Sequence, residues 1–234
     1  MAENYNSIPL VETFQTFLGS WMIKQEEYLQ ELLHFITKSE EEEEDEENKN
    51  IIELVMAHYL EYLQTKPTIS EQNVFLMFSP PWFSSFERSH IWIAGFKPAL
   101  ALRVVISSVT NLGEEQSRKL SRLIMEIKTK EKVLADRHAR IQESMAGPTI
   151  LELARHVGQV ARNGTVGRIE REVEILRSSL KDLMECADHL RVTTIMKIMD
   201  ILSPPQLLRF LAAAAHLQLR IHRWGRLRGS YPAQ

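Results

Sequence analysis

Cysteines, glycines and long apolar runs are scarce in this chain of 234 residues. Its one cysteine, Cys186, excludes a disulfide bond within the chain and is typical of a reducing compartment. No apolar run approaches the ~18 residues that a membrane-spanning helix needs, and the first residues lack the basic and apolar regions of a signal peptide. We therefore expect an intracellular protein of the cytoplasm, the nucleus or both, or one held at the cytoplasmic face of the plasma membrane.

The sequence motifs of common enzymes are also missing. The chain contains neither of the glycine-rich phosphate-binding patterns, nor a GxSxG or HExxH motif. Cys186 and His189 lie three residues apart, but two ligands do not make a zinc site. His216 and His222 fall on the last predicted helix and are candidates for haem ligands. We expect no catalytic site and no resident metal, and a haem is the cofactor that these two histidines leave open.

Charge is distributed unevenly along the chain. Glu40 to Glu47 are eight consecutive acids, so the rest of a chain whose net charge is −3 carries +5. From Ser203 to Gln234 there are five arginines and no acid. Eight adjacent carboxylates cannot enter a core, and we predict that residues 39–49 form a flexible acidic loop. The basic end either attracts phosphate, anionic lipid or an acidic partner, or is the solvated face of a last helix.

Apolar residues recur at helical spacing along most of the chain, whereas long alternating segments are absent. Prolines and glycines mark the expected breaks, with Pro67 ending one helix and Gly95 another. The predicted helices run over 9–38, 50–66, 70–77, 79–95, from 98, over 114–145, over 166–190 and over 203–225, with an irregular stretch at 148–165. We expect an all-α, single multi-helix bundle over residues 10–226, with tails at 1–9 and 227–234.

Residues 166–190 carry the strictest pattern, four heptads with alternating three- and four-residue steps. Their apolar positions are Val166, Ile169, Val173, Leu176, Leu180, Leu183, Ala187 and Leu190. Together with the amphipathic segment at 114–145, this seam predicts long helices in a coiled-coil-like hairpin. The seam can pack within its own chain or against a second protomer, and the spacing does not distinguish the two.

Residues 79–98 read SPPWFSSFERSHIWIAGFKP and concentrate aromatic rings, prolines and charges. We expect the rings to lock two helices together, since burying one contributes roughly 2–3 kcal/mol. The exposed edge of the same stretch is the alternative, as part of a partner-binding groove. The candidate residues for one role or the other are Trp82, Glu87, Arg88, His90, Trp92, Lys97 and Trp224.

Several ordered blocks of the sequence resemble one plant family, the Delay-of-Germination (DOG) domain. The blocks are His58-Tyr59-x-x-Tyr62, SPPWFSSFER at 79–88, WIAGFKP at 92–98, QES at 142–144, AD-x-LR at 187–191, LSPPQ at 202–206, FLAAA at 210–214 and RWG at 223–225. They cover the chain from about Phe14 to Gly225. The same domain forms the C-terminal half of the TGA-type bZIP transcription factors.

The resemblance implies a stand-alone DOG-like regulator, because the first predicted helix begins too near Met1 to leave room for a bZIP region. Such regulators act in seed dormancy and abscisic-acid signalling or in placing pollen apertures. The sequence at 85–98 favours the second group, the Inaperturate Pollen proteins. The implied function is a non-enzymatic scaffold that binds proteins. Two alternatives are a haem- or lipid-sensing bundle and a transcriptional partner of bZIP-bearing relatives. We expect a homo-oligomer or other protein partners, and no direct contact with nucleic acid.

Overall fold

The computed structural model describes residues 3–38, 45–145 and 163–229, and these residues form helices and connecting turns without a strand. The predicted all-α class is therefore confirmed. The helices are α1 Glu3–Lys38, α2 Asp45–Asn73, α3 Phe75–Phe78, α4 Ser85–Arg88, α5 Pro98–Ser108, α6 Glu114–Ser144, α7 Asn163–Ile201 and α8 Pro204–Gly229.

Several helix ends lie outside their predicted limits, and three of them concern the predicted tails and the acidic loop. Helix α1 begins at Glu3, so most of the expected tail at 1–9 is helical, and α8 continues past Gly225 to Gly229. Helix α2 begins at Asp45, inside the predicted acidic loop. Acidic residues are favourable in a first helical turn, because they face the positive end of the helix dipole. The loop prediction is thus wrong for residues 45–49, and residues 39–44 lie outside the described residues.

Helix α2 also continues through Pro67, where the sequence predicted a stop. A proline inside a helix removes one backbone hydrogen bond and crowds the preceding turn. Buried residues on both sides of it, Lys66, Ile69 and Ser70, show that tertiary packing holds the helix together there. The predicted short helix at 70–77 is accordingly divided between the end of α2 and α3.

Helices α6 and α7 form an antiparallel pair. Gln116 at the start of α6 donates a hydrogen bond of 2.8 Å to the carbonyl of Ile201 at the end of α7. Further along, Lys197 binds Glu126 at 2.7 Å. The predicted limits of α6 are confirmed, and α7 runs well past the predicted end at 190. Of the stretch expected to be irregular, residues 163–165 are helical, and the remainder lies outside the described part of the chain.

The second half of the heptad seam packs inside the chain. Leu180, Leu183, Ala187 and Leu190 are all buried. Leu183 and Ala187 belong to a buried cluster against which Leu134 and Ile141 of α6 pack. Toward the other end of the seam, Val173 is 39% exposed. The seam is therefore internal over α7 from Leu180 onward, which decides that half of the question the spacing left open.

Helix α8 packs antiparallel to α1. Gln25 of α1 and Gln218 of α8 share a hydrogen bond of 3.1 Å. Closer to the start of α1, Phe14 packs on Trp82 with ring centroids 4.5 Å apart. Trp82 lies in the turn that leads into α4. The end of α8 reaches α4, where the rings of Phe86 and Trp224 lie 6.3 Å apart. The basic end of α8 thus lies away from the α1–α2 connection that carries the acidic run.

Candidate interaction site

The stretch predicted to be one helix over 79–95 is mostly non-helical. Its only helix is α4, capped by the Ser84 hydroxyl, which accepts the amide of Glu87, while the Glu87 carboxylate accepts the amide of Ser84. The following residues form a tight turn in which Trp92 and Gly95 exchange backbone hydrogen bonds of 2.7 and 3.2 Å. We call this the Trp92–Gly95 turn.

Both central residues of the Trp92–Gly95 turn have left-handed backbones, with φ of 42° at Ile93 and 57° at Ala94. Such turns usually carry Asn and Gly, because a β-branched residue in this region is strained. Strain of this kind persists only where surrounding contacts enforce it. The contacts here come from distant helices, so periodicity within residues 79–95 could not reveal the turn.

A buried basic cluster holds the turn. The Arg191 side chain is 2% exposed and donates hydrogen bonds of 2.6–2.8 Å to the carbonyls of Trp92, Ile93 and Phe96. Lys66 donates one of 2.9 Å to the carbonyl of Ala94. The carboxylate of Asp188 bridges the two bases, at 2.7 Å from Lys66 and 2.6 Å from Arg191. We call Lys66, Asp188 and Arg191 the Arg191 cluster.

Burying the charges of the Arg191 cluster costs free energy, and removing one of its members destabilises the protein. Burial lowers the pKa of Lys66 to about 8, and the attraction of Asp188 opposes that effect without cancelling it. Burial likewise lowers the pKa of Arg191, again against Asp188. Removing one partner would leave a buried charge uncompensated, which typically destabilises a protein by about 3–5 kcal/mol. The cluster fixes the path of the 92–97 segment, on which α5 begins.

A second joint connects α4 to α8. The Glu87 carboxylate lies 2.7 Å from Nδ1 of His222 and also accepts the Ser84 hydroxyl at 2.7 Å. Burial by itself would raise the pKa of Glu87, but the hydrogen bonds from His222 and Ser84 outweigh it and hold the pKa below its ordinary value. Gly225 of α8 lies directly against this joint, since a Cβ there would be 2.9 Å from the Glu87 carboxylate.

Beside this joint, α8 presents a stripe of exposed residues, which we call the basic aromatic face. Its members are His216, Arg220, Arg223, Trp224 and Leu227. Their spacing of four, three, one and three residues places them on one side of a helix. Trp224 is 59% and Leu227 66% exposed, and Arg223 pairs with Glu26 of α1. Exposed aromatic and arginine side chains in one place are typical of protein-binding surfaces.

The residues nominated from the sequence separate into inner and outer groups. Trp82 and Glu87 are buried, and Trp92 is half-buried with the Arg191 guanidinium 5.6 Å from its ring centre. Arg88 donates a hydrogen bond of 2.7 Å to the carbonyl of the nearby Phe83.

The outer group consists of His90, Lys97 and Trp224. His90 lies against the Phe86 carbonyl, with 2.9 Å between that oxygen and its Nδ1. Lys97 lies 3.6 Å from the buried carboxylate of Glu131, which in turn accepts the backbone amide of Ala99 at 2.6 Å and so caps the start of α5. Of the nominated residues, Trp224 offers the largest apolar surface to a partner.

The two haem candidates have different surroundings. His216 is exposed, whereas Nδ1 of His222 faces Glu87. Within the described ranges, no three His, Cys, Asp or Glu side chains are grouped as a metal site would require. A haem at these histidines stays a prediction, and none of the contacts above depends on it.

A second group of buried polar side chains, which we call the His58 cluster, lies elsewhere in the bundle. It consists of Trp21, Gln25, His58 and Tyr59, at the contact between α1 and α2. The His58 ring stacks on Trp21 with centroids 4.2 Å apart, and neither of its ring nitrogens hydrogen-bonds to another described residue. Burial, with help from the charge of Lys24, lowers the pKa of His58 to about 4.

No described helix has the length and apolar character needed to cross a membrane.

The family model described as "Seed dormancy control" (DOG1) matches residues 28–107. The chain is 30% identical to Protein ZW2 of Arabidopsis thaliana, over 92% of this chain and 96% of that protein. It is 33% identical to Protein DOG1-like 4 of Arabidopsis thaliana, over 93% and 94%. It is also 26% identical to Transcription factor TGA1 of Arabidopsis thaliana, over 88% of this chain but 53% of that protein.

Proposed function

The chain belongs to the seed-dormancy-control (DOG1) family of plant regulators, and from that premise we propose that it is a non-enzymatic regulator that acts by binding other proteins. The process we assign to it is developmental, either pollen aperture formation or seed dormancy. We assign it to the cytoplasm, the nucleus or both, since its one cysteine fits a reducing compartment.

The observation that carries this proposal is the exposed Trp224 on the basic aromatic face. Tryptophan and arginine dominate the binding energy of protein interfaces, because a large ring excludes water and a guanidinium offers several donors. The face is also firmly placed, since Gly225 and His222 of the same helical turns contact the Glu87 joint. A rigid surface loses little conformational freedom on binding.

Similarity to TGA1 favours a second function, association with bZIP-bearing relatives. In that case the relative would supply the DNA-reading helix, and this chain would join it through the shared domain. Gel-shift assays with a TGA-type factor test this. A slower-migrating DNA complex that appears only when this chain is added to the factor would support it, and an unchanged shift of the factor would contradict it.

The test of the main proposal compares three forms of the full chain in extracts of the plant tissue that expresses it. Proteins captured and cross-linked by the unmodified chain should be lost with Trp224→Ala. They should be kept with Met196→Ala, a matched control whose side chain on α7 is also 59% exposed. Cross-links should map to α4 and α8. Equal capture by all three forms would overturn the assignment of this face.

A further inference from the structure

We propose that the basic aromatic face binds an acidic, unfolded segment of a partner protein through its arginines and Trp224. The inference rests on the proposed function in treating this face as a protein-binding surface, and it goes further by assigning the chemistry of the partner. A segment of this kind combines carboxylates with apolar side chains and has no fold of its own. The charge, the exposed rings and the length of the face support the assignment.

The charge of α8 favours a partner rich in carboxylates. From Ser203 to Gln234 the chain has five arginines and no acid. Arg220 is exposed and forms no ion pair with any described residue. Arg223 pairs with Glu26 of α1, and both side chains of that pair are exposed. A guanidinium binds a carboxylate through two parallel hydrogen bonds, so a partner's carboxylates can bind Arg220 and compete with Glu26 for Arg223.

Helix stability alone does not account for the basic aromatic face. A basic residue in the last turn of a helix interacts favourably with the helix dipole, which explains the position of Arg226. The effect falls off within that turn, and Arg220 lies nine residues before the end of α8 at Gly229. It also gives no reason for Trp224 and Leu227 to remain exposed. A contact surface explains Arg220 and the exposed apolar residues together.

The apolar part of the face continues from α8 onto α4 and the residues after it. The ring of Phe86 lies 6.3 Å from that of Trp224 and 4.7 Å from that of His90. His90 is exposed and Phe86 is half-buried. These three rings form a platform beside the arginines, on which a leucine or an aromatic side chain of a partner can bury apolar area. A segment of acidic residues alone would leave the rings in water, so we assign apolar residues to the partner as well.

The length of the face fits a short segment. From His216 to Leu227 it extends about 17 Å along α8, since a helix rises 1.5 Å per residue. An extended chain spans roughly 3.3 Å per residue and covers that distance with about five residues. Segments rich in carboxylates repel themselves and stay unfolded, so they can follow the outer surface of a helix. We expect micromolar affinity, because ordering such a segment opposes binding.

The first experiment measures binding of the fluorescein-labelled peptide EDLLEDLLED to the full chain by fluorescence anisotropy. We expect a micromolar dissociation constant at 50 mM NaCl that rises at least tenfold at 500 mM, because salt screens exposed charges. The peptide QNLLQNLLQN tests the carboxylates and EDSSEDSSED tests the leucines, and each should bind at least tenfold more weakly. Equal binding of the three peptides, or no binding of EDLLEDLLED, would overturn the inference.

Charge reversals locate the site. Arg220→Glu should weaken binding of EDLLEDLLED at least tenfold, because it replaces a guanidinium without an ion-pair partner by a repelling carboxylate. The matched control Arg118→Glu changes the net charge by the same amount at an exposed arginine of α6, and it should leave binding unchanged. Equal weakening by both substitutions would mean that the peptide is attracted by net charge alone, and it would overturn the assignment to this face.

Trp224 reports contact with the peptide directly. Trp21 and Trp82 are buried and Trp92 is half-buried, whereas Trp224 is 59% exposed. Acrylamide should therefore quench mainly the fluorescence of Trp224, and bound EDLLEDLLED should protect it. In the variant Trp224→Phe, the peptide should leave the remaining quenching unchanged. Protection that persists in this variant, or unchanged quenching of the original chain at saturating peptide, would contradict contact with Trp224.

Two further results separate this inference from the function on which it rests. If Trp224→Ala loses its tissue partners but EDLLEDLLED does not compete with them, the protein-binding function stands and the assignment of an acidic partner is wrong. If the peptide binds as expected while tissue partners ignore Trp224, the acidic-segment site stands and the regulatory surface lies elsewhere. Binding of the chain to phosphatidylserine vesicles without binding to the peptide would assign the face to lipid and overturn the inference.

Discussion

Two groups of polar side chains lie buried in this bundle, the Arg191 cluster and the His58 cluster. In the Arg191 cluster, four donor nitrogens, one of Lys66 and three of Arg191, meet backbone carbonyls or the Asp188 carboxylate at 2.6–2.9 Å. In the His58 cluster, the Trp21 indole donates to the His58 carbonyl at 2.9 Å, and Gln25 reaches Tyr59. The His58 ring nitrogens and the Gln25 side-chain oxygen, however, have no hydrogen bond to any described residue.

The difference shows that burial of polar groups serves two separate ends here. A matched cluster determines geometry, because the hydrogen bonds from Arg191 to the carbonyls of Trp92 and Ile93 form only when the Trp92–Gly95 turn keeps its strained shape. A buried group without hydrogen-bond partners determines the pH range in which the fold is stable, because a neutral imidazole tolerates burial far better than a charged one. We therefore expect the Arg191 cluster to control whether the bundle forms, and the His58 cluster to control the pH range in which it is stable.

The largest effect expected comes from breaking the matched cluster with Arg191→Met. Methionine fills similar volume but leaves the carbonyls of Trp92, Ile93 and Phe96 without their donor and Asp188 with one base instead of two. We expect a loss of about 3–5 kcal/mol in the free energy of unfolding, measured by urea denaturation followed by circular dichroism.

The matched control is Arg118→Met on α6. Arg118 is an exposed arginine paired with Glu115 at 3.3 Å, three residues away on the same helix. Exposed pairs contribute about 0–1 kcal/mol, so this change should be nearly silent. Equal losses from both substitutions would mean that the turn does not depend on the Arg191 cluster.

The next effect is a pH dependence from His58. Its pKa falls from 6.5 to about 4 on folding, so the unfolded chain binds more protons between these values. The contribution of neutral His58 to the free energy of unfolding is fully present above pH 6.5. It decreases as the pH falls toward 4, by at most about 3 kcal/mol. His58→Phe keeps a ring against Trp21 and sacrifices no side-chain hydrogen bond. The variant should be as stable as the original at pH 7 and more stable than it at pH 4.5.

Comparing these two proteins is necessary because carboxylates also titrate at low pH. The difference in unfolding free energy between them isolates His58, since both retain the same acids. Parallel stability curves from pH 7 to 4.5 would show that His58 titrates normally in the folded protein. A proton NMR titration of the His58 ring gives the same answer directly.

Helix limits set by local signals were predictable from the sequence, and those set by distant contacts were not. Amphipathic spacing predicted α6 correctly, and Ser203 with two prolines predicted the start of α8. Gln206 completes that start by accepting the Ser203 amide at 3.0 Å. The prediction of one helix over 79–95 is wrong, because the spacing of its rings is helical whereas hydrogen bonds from Arg191, about 95 residues further on, hold a turn there.

The candidate interaction site was predictable only in part. Trp224 is among the candidate residues predicted from the sequence, and the structure leaves it exposed. Lys66 was missed, since a lysine just before a proline suggests an exposed helix end rather than a buried ion pair with Asp188. A pair of residues brought together by folding leaves no mark in the spacing of either one.

The smallest expected effect concerns Gly95, which lets the Arg191 cluster approach the turn. A Cβ at Gly95 would lie 2.7 Å from Cζ of Arg191 and 2.9 Å from its Nε, well inside contact distance. Gly95→Ala should therefore displace the guanidinium and cost about 1–3 kcal/mol of stability.

Gly19 in α1 is the control, because a Cβ there meets nothing within 4 Å and alanine favours a helix. Gly19→Ala should stabilise the protein by up to about 1 kcal/mol. Opposite signs for the two changes would support the close approach of Arg191 as the reason for Gly95, whereas stabilisation by both would mean that the guanidinium can move aside without loss.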